Sequence, residues 1–168
     1  MFWMAASFVS GCSMIYTPDK SRISLEEAYL QTPEDMMEVS GTWLHVRDSG
    51  SIERPTVILI HGIGSHLQTW DGWVLELEKE YRTIRFDLPG AGLSPPDQTS
   101  DYTDTRATAL IVALMEQLEV DSASLIGNSL GGRIAWTFAA AEPERLDKLV
   151  LVSPDGFASP GFEYETAP

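Results

Sequence analysis

The sequence contains one cysteine, Cys12, which excludes an internal disulfide framework and a zinc site built on several thiolates. Basic residues are also few, since 11 Lys and Arg stand against 25 Asp and Glu and the formal net charge is −14. A chain without a basic stripe cannot displace counterions from a phosphate backbone, so we expect no nucleic-acid partner. No apolar run reaches the roughly 20 residues that span a bilayer.

Histidine is scarce as well, and His45, His61 and His66 all lie in the first 66 residues. The sequence shows no metal-ligand cluster and no phosphate-cradling loop, so we expect no metal and no cofactor. What is present is ordinary for a globular domain: 43% of the residues are hydrophobic and 21% are charged. A length of 168 residues fits a single domain.

The first 18 residues are uncharged and largely apolar. They include Val9, Ser10, Gly11 and Cys12, an order that resembles a bacterial lipobox: an aliphatic residue, two small residues and the cysteine that receives lipid. We therefore predict that residues 1–18 are a leader and that lipidated Cys12 anchors the protein to a membrane of the cell envelope. A signal peptide normally begins with Lys or Arg, which this one lacks, so a plain apolar N-terminus of a cytoplasmic protein stays the alternative.

Residues 19–34 are mixed and polar, and they predict a linker or a short helix. Residues 35–168 then alternate between strand and helix signals. Two strands flank the turn signal Ser40-Gly41, and four short apolar runs predict core strands of a sheet, over residues 56–60, 83–86, 124–126 and 148–152. Three helices are predicted between these strands. Apolar residues at helical spacing indicate the first two, at Trp70, Trp73, Val74, Leu77 and Tyr81 and at Ala107, Leu110, Ile111, Leu114 and Leu118. The third is predicted over residues 134–141. This order predicts an α/β fold with a mostly parallel sheet and flanking helices.

Residues 127–131 (GNSLG) match the pattern G-x-S-x-G between a predicted strand and a predicted helix. A serine on so tight a turn has a strained backbone and an exposed hydroxyl, and Gly127 and Gly131 remove the Cβ atoms that would clash there. The following helix points its N-terminus at the turn, where free N–H groups favour an oxyanion. A Gly-rich turn without chemistry is the structural alternative.

Together with three further segments, this turn resembles the N-terminal half of an α/β-hydrolase of the lipase, esterase and C–C-hydrolase type, from about residue 39 to residue 162. Residues 61–64 (HGIG) end the first buried strand, residues 87–94 (DLPGAGLS) follow the next, and residues 149–154 (LVLVSP) form the strand after the nucleophile helix. Ala91 stands where a histidine is frequent in the family. The resemblance implies that the C-terminal strands and the cap domain are absent from these residues.

The resemblance also implies roles for individual residues. Ser129 is the expected nucleophile, and the backbone N–H groups of Ile63 and Leu130 are the expected oxyanion hole. We expect Gly127, Gly131, Gly62 and His61 to support the site, with His61 bridging loops and not reacting, and Asn128 and His66 to line the pocket or to bond within their loops. Trp70 and Trp73 are expected in the core, and Asp87 is expected to cap its own loop.

A serine needs an adjacent base, and in this family the acid and then the histidine follow the serine along the chain. No histidine follows Ser129 in the sequence. Asp155 lies just past a predicted strand and is expected to end it, because an acid without an imidazole orients nothing. We expect a C-terminally truncated sequence whose sheet ends in an exposed apolar edge.

The predicted function is therefore that of a serine hydrolase, which cleaves a small ester or related acyl substrate through a Ser129 acyl-enzyme in a longer parent protein. These residues alone are expected to be inactive. Epoxide hydrolases and dehalogenases of this fold use Asp as the nucleophile, which argues against both. Two alternatives stay open: a C–C bond hydrolase, whose H-G-x-G-P-G segment residues 61–66 (HGIGSH) do not match, and a non-catalytic interaction module.

Overall fold

The computed structural model describes residues 20–156, so the predicted leader and its Cys12 lie outside the described residues, as do residues 157–168. The backbone divides into two compact units between Leu30 and Gln31. The first unit contains helix α1, Arg22–Tyr29, within the segment predicted as a linker or short helix. Within residues 20–156 no helix has the length and apolarity that a membrane crossing requires.

The second unit begins with a β-hairpin formed by β1, Met36–Val39, and β2, Thr42–Ser49. Ser40 and Gly41 both have positive φ, at 49° and 78°, which is the backbone of a two-residue turn that matches the twist of the strands. The hairpin predicted around Ser40-Gly41 is confirmed.

Four further strands complete a six-stranded sheet in the order β1-β2-β4-β3-β5-β6. They are β3, Thr56–Ile60; β4, Arg82–Phe86; β5, Ala123–Asn128; and β6, Leu146–Val152. β3, β4, β5 and β6 run parallel, and β2 joins β4 antiparallel. The predicted α/β fold with a mostly parallel sheet is confirmed.

The chain enters the parallel part at β3, moves to β4 on one side and crosses back to β5 on the other. The point between β3 and β5 where the direction of winding reverses leaves a crevice at the carboxyl ends of the two strands. Residue 61 follows β3 and residue 129 follows β5, so the two glycine-containing turns meet at this crevice.

Three helices cover the two faces of this sheet: α2, Asp71–Leu77, α3, Asp104–Gln117, and α4, Leu130–Ala141. The alternation along β3 shows why both faces are needed. Ile58 and Ile60 lie in the core cluster that α3 and α4 cover, whereas Val57 and Leu59 pack with Trp70 and Val74 on the opposite face. All five residues of β3 are buried, as the continuous apolar run predicted.

The prediction that residues 148–152 form a core strand is only half right. They belong to β6, but Val150 and Leu151 remain 42% and 40% exposed. β6 pairs with β5 on one side, and it has no second neighbouring strand among residues 20–156. The strand is therefore at the edge of the described sheet, and the expected apolar edge is present there.

A buried ion pair ties the hairpin to the start of α3. Asp97 is 3% exposed and accepts hydrogen bonds from Arg106 Nε at 2.9 Å and from the Thr99 hydroxyl at 2.6 Å. Arg106 also donates to the carbonyl of Ser40 in the hairpin turn, at 3.0 Å. Burial alone would raise the pKa of Asp97, but the hydrogen bonds from Thr99 and Arg106 outweigh burial and lower the pKa to about 2.

Because the pKa of Asp97 is lower in the folded chain than in the unfolded chain, the ionised carboxylate stabilises the fold at pH values above the ordinary carboxyl pKa. That contribution is lost as the pH falls through about 2. Asp97→Asn is expected to reduce the free energy of unfolding by about 2 kcal/mol at pH 7, with a difference that shrinks below about pH 4. Urea unfolding of both proteins at pH 7, 4 and 2.5 measures this.

Asp121→Asn is the matched control, because Asp121 is exposed and the same change there should shift the free energy of unfolding by less than about 0.5 kcal/mol. A difference between Asp97→Asn and the unmodified chain that stayed constant from pH 7 to 2.5 would contradict the role given to the carboxylate charge.

Candidate active site

Ser129 is the single residue between the end of β5 and the start of α4. Its backbone has φ 51° and ψ −118°, a conformation that side-chain-bearing residues avoid and that costs on the order of 1–3 kcal/mol. The side chain is half-buried. The sharp strand-to-helix corner predicted at this serine is therefore present, and the strain at Ser129 is held by the structure around it.

Three glycines allow the helix to start so close to the sheet. A Cβ on Gly127 would lie 2.2 Å from the carbonyl oxygen of Gly131, and a Cβ on Gly131 would lie 2.2 Å from that of Ile60. A Cβ on Gly132 would lie 2.8 Å from the Cβ of Pro154. Backbone therefore packs on backbone around the serine, as was expected for Gly127 and Gly131, and Gly132 extends this to the segment after β6.

The turn after β3 lies against the same corner. A Cβ on Gly62 would lie 3.1 Å from the Cβ of Ser129 and 3.0 Å from Oδ1 of Asn128. Ile63 follows Gly62 along the chain and is 82% exposed. The two sequence motifs that were expected to form one site are therefore in contact.

The backbone N–H groups of Leu130 and Ile63 are the two that were expected to form an oxyanion hole. Leu130 is the first residue of α4, where N–H groups have no partner within the helix. Neither the N–H of Leu130 nor that of Ile63 meets a hydrogen-bond acceptor within residues 20–156. The positive end of the α4 dipole lies at the same position and also favours negative charge.

His61 is buried and bridges two loops. Its Nε2 accepts a hydrogen bond from the N–H of Leu88 at 2.9 Å, so the proton is on Nδ1, which donates to the carbonyl of Gly62 at 2.8 Å. Burial lowers the pKa of His61, and the hydrogen bond to Gly62 and the charge of Asp87 offset this only in part. His61 is a neutral, fully bonded imidazole that holds the loop after β3 to the loop after β4.

Asp87 joins three segments below the site. Its carboxylate accepts from the N–H groups of Leu67 at 2.7 Å and Leu93 at 2.9 Å and from Nδ1 of His45 at 2.7 Å. Burial would raise the pKa of Asp87, but the bonds from His45, Leu93 and Leu67 outweigh it and lower the pKa. Asp87 does cap its own loop, whereas its bond to His45, 42 residues away, was not predicted, because no local pattern links the two residues.

The segment after β6 holds the serine from the other side. The N–H of Ser129 donates to the carbonyl of Val152 at 3.2 Å, and the N–H of Asp155 donates to the carbonyl of Ser129 at 2.8 Å. The Asp155 carboxylate bonds to Arg133 Nη1 at 3.3 Å. Arg133 was not singled out in the sequence, although its position one turn into the nucleophile helix was a signal that could have found it.

The other residues considered for the pocket are placed differently from one another. Asn128 donates to the carbonyl of Val152 at 3.0 Å, and His66 is exposed and bonds to Gln68 at 2.6 Å. Trp70 is 3% exposed and belongs to the core, as expected, whereas Trp73 is 45% exposed and only contacts Trp70 edge-on. Trp73 lies on the outer side of its helix, which is why the expectation of a core position was wrong.

Over residues 55–167 the chain matches the family model described as the alpha/beta hydrolase fold. The chain belongs to the alpha/beta hydrolase family.

Proteins with different names are among the relatives of this chain. The chain is 34% identical over 134 residues to a 2-hydroxymuconate semialdehyde hydrolase from a Pseudomonas strain. The aligned region covers 77% of this chain and 47% of that relative. A crystal structure of a meta-cleavage product hydrolase superposes with a TM-score of 0.69 at 31% identity, covering 74% of this chain and 46% of that one. The crystal structure of a membrane phospholipase A superposes with a TM-score of 0.70 at 30% identity, and the superposition covers 76% of this chain and 41% of the phospholipase chain.

The chain thus spans less than half the length of each of these three relatives. In the part that the structure describes, no group of three or more His, Cys, Asp or Glu side chains is placed to hold a metal ion.

The backbone contact at Gly131 gives a direct test of the corner. Gly131→Ala is expected to lower the free energy of unfolding by at least about 2 kcal/mol, because the new methyl group would overlap the carbonyl oxygens of Ile60 and His61. Chemical denaturation monitored by circular dichroism measures the change.

Gly72→Ala is the matched control, since Gly72 lies in α2 with no atom within 4 Å of the added Cβ. This variant should be stabilised by up to about 1 kcal/mol, through the better helix propensity of alanine. Equal stabilities of the two variants would show that α4 does not lie as close to β3 as described.

Proposed function

We propose that Ser129 is the nucleophile of a serine hydrolase that cleaves an ester or a related acyl bond through an acyl-enzyme. The observation that carries the proposal is the backbone of Ser129, which has positive φ at a strand-to-helix corner beside two N–H groups without acceptors. A strained backbone conformation destabilises the fold, and such conformations cluster at active sites, where the strain is part of the mechanism. The strained backbone of Ser129 therefore favours a chemical role for this residue.

The chemistry follows from the groups present. The Ser129 oxygen attacks the carbonyl carbon of the substrate while its proton passes to a general base, and the negative charge that develops on the carbonyl oxygen is bound by the N–H groups of Ile63 and Leu130. When this intermediate collapses, the bond to the alcohol oxygen breaks, the base returns the proton to that oxygen, and the acyl group stays on Ser129. Water then attacks the acyl group, gives its proton to the same base and releases the acid, and the base returns the proton to Ser129. Each backbone donor of this kind is worth about 3–4 kcal/mol in comparable enzymes.

The general base is proposed to come from outside the 168 residues. His45 is bonded to Asp87, His61 is bonded to Leu88 and Gly62, and His66 is bonded to Gln68, so each of the three imidazoles has another task. Asp155, whose carboxylate bonds to Arg133, has no imidazole to orient. We therefore expect these 168 residues by themselves to react slowly.

Ester hydrolysis by the 168-residue chain is expected to be at least about 10⁴-fold slower than by a longer product of the same reading frame that includes a late Asp and His. Steady-state hydrolysis of p-nitrophenyl acetate by both proteins measures this. Ser129→Ala in the longer protein should abolish turnover, and Ser122→Ala, a half-buried serine at the opposite end of β5, should leave it unchanged.

A longer product whose turnover is unaffected by Ser129→Ala would overturn the proposal. So would a reading frame that stops after Pro168, combined with a folded product that is inert to a fluorophosphonate probe, and this result would favour the non-catalytic interaction module.

The second candidate is hydrolysis of a C–C bond in a vinylogous diketone, with the same serine. It is favoured by the likeness to the 2-hydroxymuconate semialdehyde hydrolase and the meta-cleavage product hydrolase. Ester hydrolysis ranks first because residues 61–66 (HGIGSH) differ from the H-G-x-G-P-G segment of those enzymes. Comparing kcat/KM for an ester with that for a ring-cleavage diketone decides between the two.

Membrane attachment through lipidated Cys12 is a separate proposal, supported by the order Val9-Ser10-Gly11-Cys12 and the uncharged segment around it. Mass spectrometry of the protein from its native host should find a diacylglyceryl group on Cys12 as the first residue. An unprocessed Met1 would overturn the proposed anchor and favour a cytoplasmic protein.

A further inference from the structure

The loop that contains Ile63 is held at both of its ends by two consecutive residues of the neighbouring loop. At its start, Nε2 of His61 accepts a hydrogen bond from the N–H of Leu88 at 2.9 Å. At its end, the N–H of Leu67 donates to Oδ1 of Asp87 at 2.7 Å. The position of the Ile63 N–H, and with it the proposed oxyanion hole, therefore depends on where Asp87 and Leu88 lie.

The Asp87 carboxylate is fixed by groups that bind its second oxygen. Nδ1 of His45 lies 2.7 Å from Oδ2, and the N–H of Leu93 donates to the same oxygen at 2.9 Å. The space beside this oxygen is full, since a Cβ on Gly92 would lie 2.1 Å from it. With Oδ2 held in this way, the carboxylate keeps Oδ1 in place for the N–H of Leu67.

His45 contributes to this arrangement through one ring nitrogen. Its side chain lies in β2 and is fully buried, with 0% exposed. The lowered pKa of Asp87 keeps that carboxyl group ionised at neutral pH, and a carboxylate only accepts hydrogen bonds, so Nδ1 of His45 carries the proton and donates. Nε2 of His45 has no hydrogen-bond partner within residues 20–156. The Nδ1 bond is therefore the contribution of the imidazole to the loops around Asp87.

We propose that His45 is a positioning residue for the reaction at Ser129: by donating from Nδ1 to Asp87, it holds the loop of residues 62–66 where the N–H of Ile63 can bind the oxyanion. The proposal rests on the proposed function, because the position of this N–H affects a rate only if Ser129 attacks a carbonyl group. A displacement of about 1 Å at a reacting centre can cost roughly 100-fold in rate, so a remote residue of this kind has a measurable effect.

Two variants that place an amide at different positions separate this role from a general structural one. His45→Asn places an amide N–H near Nδ1 and can still donate to Asp87, whereas His45→Gln places it near Nε2, which makes no bond. In the longer protein with the late Asp and His, His45→Gln should lower kcat for p-nitrophenyl acetate at least about tenfold and leave KM within about twofold. His45→Asn should keep kcat within about threefold of the unmodified protein. Equal kcat values for the two variants would overturn the proposal.

Thr83→Val is the matched control for a hydrogen bond lost between the same two strands. Thr83 is buried in β4, and its hydroxyl oxygen lies 3.0 Å from that of Ser49 in β2, at the end of the strand pair opposite to His45. The variant keeps the shape of the side chain and should leave kcat within about twofold. A loss of kcat as large as that of His45→Gln would show that any weakening of β2 against β4 lowers the rate, which would overturn the specific role of His45.

Amide hydrogen exchange in the 168-residue chain gives a readout that needs no turnover. The N–H of Leu67 should exchange at least about tenfold faster in His45→Gln than in the unmodified chain or His45→Asn, because its acceptor on Asp87 is no longer fixed. The N–H of Arg82, which donates to the carbonyl of Pro55 at 3.0 Å, lies at the opposite end of β4, and unchanged exchange there shows that the fold is intact. Unchanged exchange at Leu67 in His45→Gln would overturn the link between His45 and the loop.

The two proposals fail in different ways. Hydrolysis that depends on Ser129 but is equally fast in His45→Gln and His45→Asn overturns the positioning role alone. Absence of any hydrolysis that depends on Ser129 in the longer protein overturns the proposed function and, with it, the positioning role, whatever the exchange rate at Leu67.

Discussion

The close contact between the backbone of Gly131 and the carbonyl oxygen of Ile60 is the constraint on which the rest of the site depends. No side chain fits there, because a Cβ on Gly131 would lie 2.2 Å from that oxygen. A helix that starts this close to the strand ends leaves one residue, Ser129, to make the whole change of direction. The positive φ of Ser129 and the free N–H of Leu130 are both consequences of that short connection.

A strained corner persists only when its surroundings hold it, and here the hydrogen bonds of three loops do so. The end of β6 and the segment after it bind Ser129 through Val152 and Asp155, and His61 joins the loops after β3 and β4. His61 is buried with both ring nitrogens bonded, and a buried bond of this kind is costly to break. The site is therefore fixed by polar contacts between loops as well as by the packing of α4 on the sheet.

The arginines of this acidic chain serve its interior. Arg82 is bonded to Asp48, Arg106 to Asp97 and Arg133 to Asp104 and Asp155. The pairs of Arg82 and Arg133 join residues 22 to 34 positions apart in the sequence, whereas Arg106 and Asp97 are 9 positions apart. The pair of Arg82 and Asp48 joins β4 to β2, and the pair of Arg133 and Asp104 joins α4 to the start of α3. These ion pairs therefore help to hold neighbouring elements of the second unit together.

The sequence by itself determined the elements and the corner. Apolar runs with a period of two or 3.6 residues and the glycines around Ser129 depend on local backbone and burial preferences, which can be read from neighbouring residues. Only the tertiary structure decided that residues 148–152 form the edge strand and not a core strand, that Trp73 faces outward, that His45 binds Asp87 and that Arg133 binds Asp155. Each of these depends on which distant segments come together, and the order of strands in a sheet is not encoded in the periodicity of any one strand.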